Sequence, residues 1–285
     1  MVRVKFRRAS GERGYLRSMG YACPMNELRT VRAMRYVTPL REGGSLPAII
    51  EADDLGTYVL KFRGAGQGRK ALIAELVAGE IARSLGLCVP ELVFTELDGE
   101  LARAEPDAEI QDLVRWSEGL NLALDYLPGA FGFDPLADGL SPELAAKIAW
   151  FDALVTNVDR TAHNTNLLWW HGRVWLIDHG ASLYFHHSWS NWRKASQRPF
   201  AAAREHVLLP LASGIQAADA ELAPRLDEEA LRGVLDLIPD SWLDEEPGFG
   251  GAGEVREAYL EYLTARLSGP REWARSLEET REQLV

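Results

Sequence analysis

Residues 149–184 constrain the fold more than any other part of the chain. Their pattern predicts the end of a helix, a polar loop, a strand, a tight turn at a His-Gly dipeptide, a second strand and a second polar loop. Asp159 and Asn164 lie in the first loop, and Asp178 directly follows the second strand. A hairpin folded at the turn brings both loops to the same end. Three oxygen-bearing side chains placed there suit a hard cation that bridges to phosphates.

The distribution of charge narrows the possible partners. The 285-residue chain is long enough for one large domain or two lobes, and its net charge is −11. Residues 1–35 nevertheless contain nine Lys or Arg and two acidic residues, so the rest of the chain is strongly acidic. An acidic body argues against direct nucleic-acid binding, which needs clustered cations to neutralise phosphates.

The sequence contains no run that predicts a secretory signal or a membrane span. Its two cysteines and six histidines lack the spacing of a disulfide framework or of a metal site. We therefore expect a cytoplasmic protein that binds neither nucleic acid nor membrane directly. The sequence leaves its oligomeric state open.

Residues 34–127 predict a small sheet crossed by one long helix. We interpret residues 1–33, which lack clear periodicity, as a flexible basic leader. β-Branched and aromatic residues favour strands, and an Asp/Gly turn favours an antiparallel hairpin. Strands are predicted at 36–40, 48–52, 57–62, 92–97 and 120–127.

A glycine-rich stretch at residues 64–68 leads into a helix predicted over 70–85. The glycine spacing matches neither the dinucleotide fingerprint nor the P-loop, so we interpret the stretch as a connection. In the helix, Glu75 is the only charge on a face of small apolar residues. A carboxylate on a packed face needs a cationic partner. Lys61, inside the preceding strand, is the nearest candidate.

Residues 128–139, rich in Gly, Pro and Asp, predict a boundary between two lobes. Residues 128–285 then read mostly as helix around the central hairpin. Helices after the hairpin are predicted near 201–212, 217–226, 228–238, 254–268 and 270–283.

The chain contains, in order, every part that phosphoryl transfer requires. That chemistry needs a Lys on the phosphates, an acid that holds the Lys, oxygen ligands for Mg²⁺, and an Asp that orients the attacking hydroxyl. Each residue alone is a weak signal, but their order combines a glycine loop, a strand Lys, a helical Glu and the hairpin residues. The ordered residues are Gly43, Gly44, Ser45, Lys61, Glu75, Asp159, Asn164 and Asp178.

Two segments carry a family resemblance. NVDRTAHN at 157–164 and LIDHG at 176–180 resemble the catalytic and metal loops of HipA-like kinases. They are also similar to those of the phosphatidylinositol-kinase-like branch of the protein-kinase-like superfamily. KFRGAGQG, LIAELVAGEIARSLGLCVPE, REHVLLPLAS and IPDSWL extend the HipA-like resemblance over roughly residues 35–280. It implies an α+β, two-lobed protein-kinase-like fold with a small antiparallel-sheet N-lobe, a mostly helical C-lobe and ATP between them.

By position, the resemblance implies roles for five N-lobe residues. Lys61 would contact the ATP phosphates, and Glu75 would hold Lys61. Gly43, Gly44 and Ser45 would form the loop that covers the phosphates.

The resemblance also implies roles around the hairpin. Asp159 would act as the catalytic base, with Asn164 and Asp178 as Mg²⁺ ligands. Asn166 is an alternative to Asn164. Residues 119–124 would form the hinge that contacts adenine through backbone groups.

Two positions depart from the family pattern. Related catalytic loops often carry a Lys or His two residues after the Asp, where this chain has Thr161. Arg160 or His163 would then have to neutralise the transferred phosphate. The metal loop has His179 where many relatives have Phe, which puts the familiar activation switch in doubt.

The residues and the resemblance together predict an ATP- and Mg²⁺-dependent kinase that phosphorylates a hydroxyl, with Ser or Thr of a protein as the expected acceptor. A small-molecule phosphotransferase and a catalytically silent nucleotide-binding regulator are the alternatives. The sequence identifies neither the acceptor nor any antitoxin-like partner.

Overall fold

The structure is a computed structural model that describes residues 27–40, 46–135 and 139–285. It has a sheet-rich N-terminal part and a helical C-terminal part, which confirms the predicted α+β, kinase-like class. The first strand begins at Thr30, inside the range assigned to the leader. The rest of that leader, through residue 26, lies outside the described residues.

Five strands form the N-lobe sheet, in the order β1-β2-β3-β5-β4. Consecutive neighbours in this order pair antiparallel, and β1 also pairs parallel with β4 at residues 30–32. The sheet is therefore antiparallel, as expected, except at this one pairing. The strands are β1 (Thr30–Pro39), β2 (Ala48–Ala52), β3 (Thr57–Lys61), β4 (Leu92–Leu97) and β5 (Gly119–Asp125).

Alternation along β3 separates its two faces. Tyr58 and Leu60 are buried in the apolar core of the sheet, whereas Lys61 is half-buried on the opposite face. The turn before β3 matches the predicted Asp/Gly turn, since Asp54 Oδ1 accepts the Gly56 N–H at 2.9 Å. The alternation thus points Lys61 away from the sheet core.

The long helix α1 (Arg69–Ser84) covers this second face of the sheet. Every residue from Leu72 to Ala82 is buried, including Glu75. The apolar residues of α1 join the same cluster as those of the C-lobe. The short helix α2 (Ala108–Trp116) lies between β4 and β5.

Polar contacts fix both ends of α1 to the C-lobe. Near its start, Lys70 Nζ donates to the His186 carbonyl at 2.6 Å and to Glu246 Oε1 at 2.8 Å. At its end, Arg225 donates to the carbonyls of Leu85 and Ser84 at 2.9 and 3.0 Å. These carbonyls belong to the set that a helix end leaves without intrahelical partners.

The residues predicted to form the C-lobe begin with β6 (Phe131–Gly132) and helix α3 (Pro142–Val155), and the division into lobes stays a prediction. Ser141 Oγ caps the helix by accepting the Leu144 N–H at 3.2 Å, as the Ser-Pro-Glu start predicts. The hairpin of β7 (Leu167–Trp170) and β8 (Arg173–Leu176) follows, and β6 pairs with β7. The remaining helices are α4 (Trp192–Ala195), α5 (Ile215–Leu222), α6 (Glu228–Leu235), α7 (Asp240–Leu243), α8 (Ala252–Leu267) and α9 (Glu272–Leu284).

One predicted helix is wrong. Residues 201–212 contain only two short 3₁₀ turns, Ala203–Glu205 and Leu209–Leu211. Pro210 lacks a backbone N–H and so cannot continue a helix through this segment. Within the described ranges, no helix combines the length and apolarity that crossing a bilayer requires.

Candidate functional site

The loop after α3 brings Asp159 and Asn164 into direct contact. Helix α3 ends at Thr156, whose left-handed backbone (φ 55°, ψ 46°) turns the chain off the helix axis. Asn164 Nδ2 donates to Asp159 Oδ2 at 2.8 Å, and Asn166 Nδ2 approaches the same oxygen at 3.2 Å. Among the described residues, no hydrogen bond engages Oδ1 of Asp159 or of Asn164. Those two oxygens remain for a substrate or a metal ion.

A buried ion cluster lies beneath this loop. Asp152, on α3, accepts from Arg160 Nε at 2.6 Å and from His206 Nε2 at 3.1 Å on Oδ2. Its Oδ1 accepts from Asn157 Nδ2 at 2.9 Å. Burial alone raises the pKa of Asp152, but the charge of Arg160 and then His206 outweigh it and bring the pKa to about 2. The cluster ties the start of the loop to helix α3.

The same cluster decides which residue near Thr161 can meet a phosphate. The Arg160 side chain is fully buried on Asp152, so it is not available in the cleft. The Thr161 hydroxyl accepts the Asn164 N–H at 3.3 Å and so helps to close the loop. His163 is exposed. Of the two residues expected to replace the missing cation, only His163 is accessible.

The metal loop lies beside the catalytic loop, as the hairpin predicts. Leu167 pairs with Leu176, and the Ile177 N–H donates to the Asn166 carbonyl at 3.1 Å. Residues just before β7 and just after β8 are therefore neighbours. Asp178 follows at once, with a left-handed backbone (φ 54°) and a side chain that is 37% exposed.

The donor set at this end of the hairpin fits Mg²⁺. Asp178 offers a carboxylate and Asn164 an amide oxygen, and both are hard oxygen donors. No cluster of three or more His, Cys, Asp or Glu arranged for a metal occurs in the described part of the chain. With two protein ligands, phosphate oxygens and water must complete the coordination, as is usual for Mg²⁺ at nucleotide sites.

Lys61 connects the N-lobe to the metal loop. Its Nζ lies 2.7 Å from Asp178 Oδ1 and 3.6 Å from Glu75 Oε2. The predicted contact between Lys61 and Glu75 is therefore present. The Lys61 side chain is 11% exposed and that of Glu75 is 2% exposed, so both charges lie largely out of water.

The charges in this cluster stabilise one another. Burial works to lower the pKa of Lys61, but the charges of Glu75 and then Asp178 outweigh it and raise that pKa. Burial works to raise the pKa of Glu75, but Lys61 and then His179 outweigh it and bring that pKa to about 2. A lysine that a buried glutamate keeps charged is suited to hold an anionic ligand.

His179 is fully buried beside Glu75. Its Nδ1 lies 3.4 Å from Glu75 Oε1, and its ring meets the edge of Phe151 on α3 with centroids 5.8 Å apart. The residue that departs from the family pattern is therefore part of the cluster rather than a surface substitution.

The predicted phosphate-covering loop, Gly43, Gly44 and Ser45, lies outside the described residues. The residues on either side close the β1-β2 hairpin, since the Leu40 N–H donates to the Pro47 carbonyl at 2.7 Å. The assignment of the loop stays a prediction.

Residues 119–124, the predicted hinge, form strand β5. Their backbone pairs with β4 throughout and, from Leu122 onward, also with β3. Pairing continues beyond them, because the Asp125 N–H donates to the Glu91 carbonyl and the Tyr126 N–H to the Thr57 carbonyl. The assignment of the hinge stays a prediction.

Sequence reasoning missed the residues that anchor the site. Sequence analysis assigned no role to Asp152 and considered Arg160 only as a possible phosphate ligand. The signal available was an acid on the buried face of α3. Its cationic partner follows eight residues later, but only the geometry of the helix end shows that the two side chains meet.

Comparison with known proteins agrees with this geometry. The family model for HipA-like kinases matches residues 34–275. No curated protein matches the sequence. The chain is similar to the crystal structure of CtkA, a Helicobacter pylori proinflammatory kinase, with a TM-score of 0.52 and 14% identity over 87% of this chain and 98% of that one. At this identity the likeness shows the fold alone.

A second solved structure, the Golgi casein kinase, has a TM-score of 0.43 and 10% identity, with 91% of this chain and 74% of that one covered. That likeness is too distant to carry an argument. The family match spans most of the chain and includes both loops of the hairpin. The chain belongs to the HipA-like kinase family, and it is a kinase.

Proposed function

We propose that this kinase transfers the γ-phosphate of ATP to a Ser or Thr hydroxyl of a protein, with Mg²⁺ as cofactor. The observation that carries the proposal is the position of Lys61, which contacts both Glu75 and Asp178. A lysine placed between a helical acid and a metal-loop acid is the arrangement that phosphate binding uses in protein kinases.

Each side chain has a defined task in this proposal. Lys61 exchanges its contact with Asp178 for the phosphates, while Glu75 keeps the ammonium group in place. Asp178 and Asn164 Oδ1 would hold Mg²⁺, and the bound ion would supply neutralisation of charge on the phosphates. Since Asn164 Nδ2 keeps its bond to Asp159 Oδ2, one residue links the metal site to the catalytic carboxylate.

Asp159 receives the proton of the acceptor. Its Oδ2 is occupied by the amides of Asn164 and Asn166, which orient the carboxylate and leave Oδ1 for the acceptor hydroxyl. The acceptor oxygen forms a bond to the γ-phosphorus, the bond from that phosphorus to the β,γ-bridging oxygen breaks, and ADP leaves. The hydroxyl proton moves to Asp159.

One observation favours a second candidate, a nucleotide-binding regulator without transfer. Arg160 is buried on Asp152 and Thr161 is uncharged, so of Arg160, Thr161 and His163 only His163 is both accessible and able to carry a positive charge. If His163 does not supply that charge, the site binds nucleotide but transfers phosphate slowly.

The test uses the purified chain with γ-labelled ATP, Mg²⁺ and two acceptor sets, a mixture of unfolded proteins and a panel of small alcohols including aminoglycosides and choline. We expect label on protein, and Asp159→Asn removes it while ATP binding persists. Label only on small alcohols would replace the protein acceptor. A nucleotide-dependent rise in melting temperature without any transfer would favour the regulator. Full transfer by both Asp159→Ala and Asp178→Ala would overturn the site assignment.

A further inference from the structure

His179 occupies a junction between three elements of the protein. It follows Asp178 in the metal loop, its Nδ1 lies 3.4 Å from Glu75 Oε1 on α1, and its ring contacts Phe151 on α3. The next residue, Gly180, also lies close to α1, because an added Cβ would come within 3.7 Å of Ala71. The metal loop therefore packs directly on α1.

The contact between His179 and Glu75 has no substitute in the described surroundings. Neither carboxylate oxygen of Glu75 and neither ring nitrogen of His179 has a hydrogen-bond partner among the described residues. Lys61 Nζ lies 3.6 Å from Oε2, the ring of His179 lies 3.4 Å from Oε1, and the backbone of His179 also acts on the carboxylate. A buried carboxylate is costly unless such neighbours compensate for lost water. An apolar side chain at 179 would remove the contribution of the ring.

We propose that His179 is a positioning residue that orients Glu75, and through Glu75 directs Lys61 toward the phosphates of ATP. The inference rests on the proposed function of the same site. With Oε1 held by His179, Oε2 faces Lys61, so the metal loop itself sets the lysine. The metal loop then positions both Asp178 and Lys61, so α1 does not have to move separately to place the lysine.

The fixed ends of α1 agree with this role. Lys70 and Arg225 hold the two ends of the helix on the C-lobe without any ligand. The conformational freedom that remains near Lys61 belongs to the side chains of Glu75 and Lys61. His179 restricts the side chain of Glu75.

A double-mutant cycle tests the inference with the full chain. The variants are His179→Phe, Glu75→Gln and their combination, and the readouts are the Kd for ATP with Mg²⁺ by calorimetry and KM and kcat separately. We expect His179→Phe to weaken ATP binding about tenfold, because the buried Glu75 carboxylate loses a polar neighbour. In the Glu75→Gln background the same substitution should weaken binding less than about twofold, because its target is gone.

Two further variants separate positioning from folding. His179→Gln keeps a side-chain N–H donor and should restore the Kd to within about threefold of the wild type, given the modest net value of such bonds. His179→Leu repeats the cycle if the Phe variant does not fold. His187→Phe is the matched control, because His187 contacts the rings of Tyr184 and His186, and we expect it to bind ATP as the wild type does.

The outcomes distinguish the inference from the function beneath it. Independent, multiplicative losses from His179 and Glu75 would overturn the positioning role while wild-type ATP binding and transfer leave the proposed function intact. Wild-type affinity in both His179→Phe and His179→Leu would do the same. A wild-type chain that binds no ATP would overturn the proposed function and this inference together.

Discussion

Glu75 and Asp152 are two buried carboxylates whose pKa is lowered in both by positive neighbours, but they differ in their hydrogen bonds. Asp152 accepts three side-chain hydrogen bonds and fixes the catalytic loop to α3. Glu75 accepts none that meets hydrogen-bond geometry, and its two oxygens rest on ion contacts at 3.6 and 3.4 Å. The two groups differ in how completely their partners are committed.

The difference separates a structural carboxylate from the one for which we propose a function. The partner of Asp152 is Arg160, which is fully buried and bonded only inward. The partner of Glu75 is Lys61, which also reaches the half-exposed Asp178. Both carboxylates have a lowered pKa, so the pKa does not separate them. The cationic partner does, because Lys61 also contacts the half-exposed Asp178 and Arg160 is buried.

The largest expected effect is a loss of phosphate transfer when Asp159, in the loop that Asp152 supports, is substituted. Asp159→Asn should lower the transfer rate about a thousandfold, the usual range for loss of a general base. Because Asp159 is only half-buried, the melting temperature of the variant should stay within about 2 °C of that of the wild type. Single-turnover kinetics and a thermal melt measure both quantities. Transfer within tenfold of the wild type would contradict the role of Asp159.

Breaking the structural cluster should reduce stability instead. Arg160→Met leaves the Asp152 carboxylate buried without its ion partner, and we expect the free energy of unfolding to fall by about 4 kcal/mol. Urea unfolding gives this value. Lys61→Met is the matched variant, because it also leaves a buried carboxylate without its cation but in addition should abolish ATP-phosphate binding. Retained ATP binding by Lys61→Met, or lost ATP binding by folded Arg160→Met, would remove the distinction between the two clusters.

Acid should weaken Glu75 and Asp152 together. Their pKa values are depressed in the folded state, so their contribution is present above the unfolded values near 4 and is lost as the pH falls toward 2. Glu75→Gln should remove about 3 kcal/mol of that pH-dependent stability, by the usual conversion of a pKa shift. Unfolding free energies at pH 5 and pH 2.5 test this. An unchanged pH slope in the variant would contradict the ionised state of Glu75.

A third carboxylate gives the smallest effect and the opposite sign. Burial, followed by the charge of Glu91, raises the pKa of Asp125 to about 6 against the opposing charge of Arg29. A raised pKa means that its stabilising contribution is present below the unfolded value and lost as the pH rises through about 6. Because Asp125 is partly exposed and solvent screens its charge, only part of this shift counts toward stability. Asp125→Asn should therefore stabilise the protein by about 1 kcal/mol at pH 7 and not at pH 4. A destabilised variant at pH 7 would contradict this.

Sequence reasoning could predict the parts of the site that depend on order and short-range spacing. Lys61 and Glu75 lie on consecutive elements, and the hairpin register brings Asn164 toward Asp178, so periodicity and turn chemistry suffice. The roles of these residues in catalysis remain predictions. The kinase class follows from the same motifs and is confirmed by the family match.

The rest depends on geometry that spacing does not encode. Whether Arg160 points into the cleft or onto Asp152 is decided by the left-handed turn at Thr156. Residues 119–124, predicted as the hinge, are held in β5 by pairing with β4 and, from residue 122, with β3. Both outcomes depend on tertiary pairing, which overrides local pattern.

The most direct test of the central claim is transfer of labelled γ-phosphate from ATP, measured with and without Mg²⁺, in the wild type and in Asp178→Asn. We predict Mg²⁺-dependent transfer by the wild type and none above background by the variant, with both proteins folded. Equal transfer by the two, or wild-type transfer that ignores removal of the metal, would contradict the assignment of this hairpin as a phosphotransfer site.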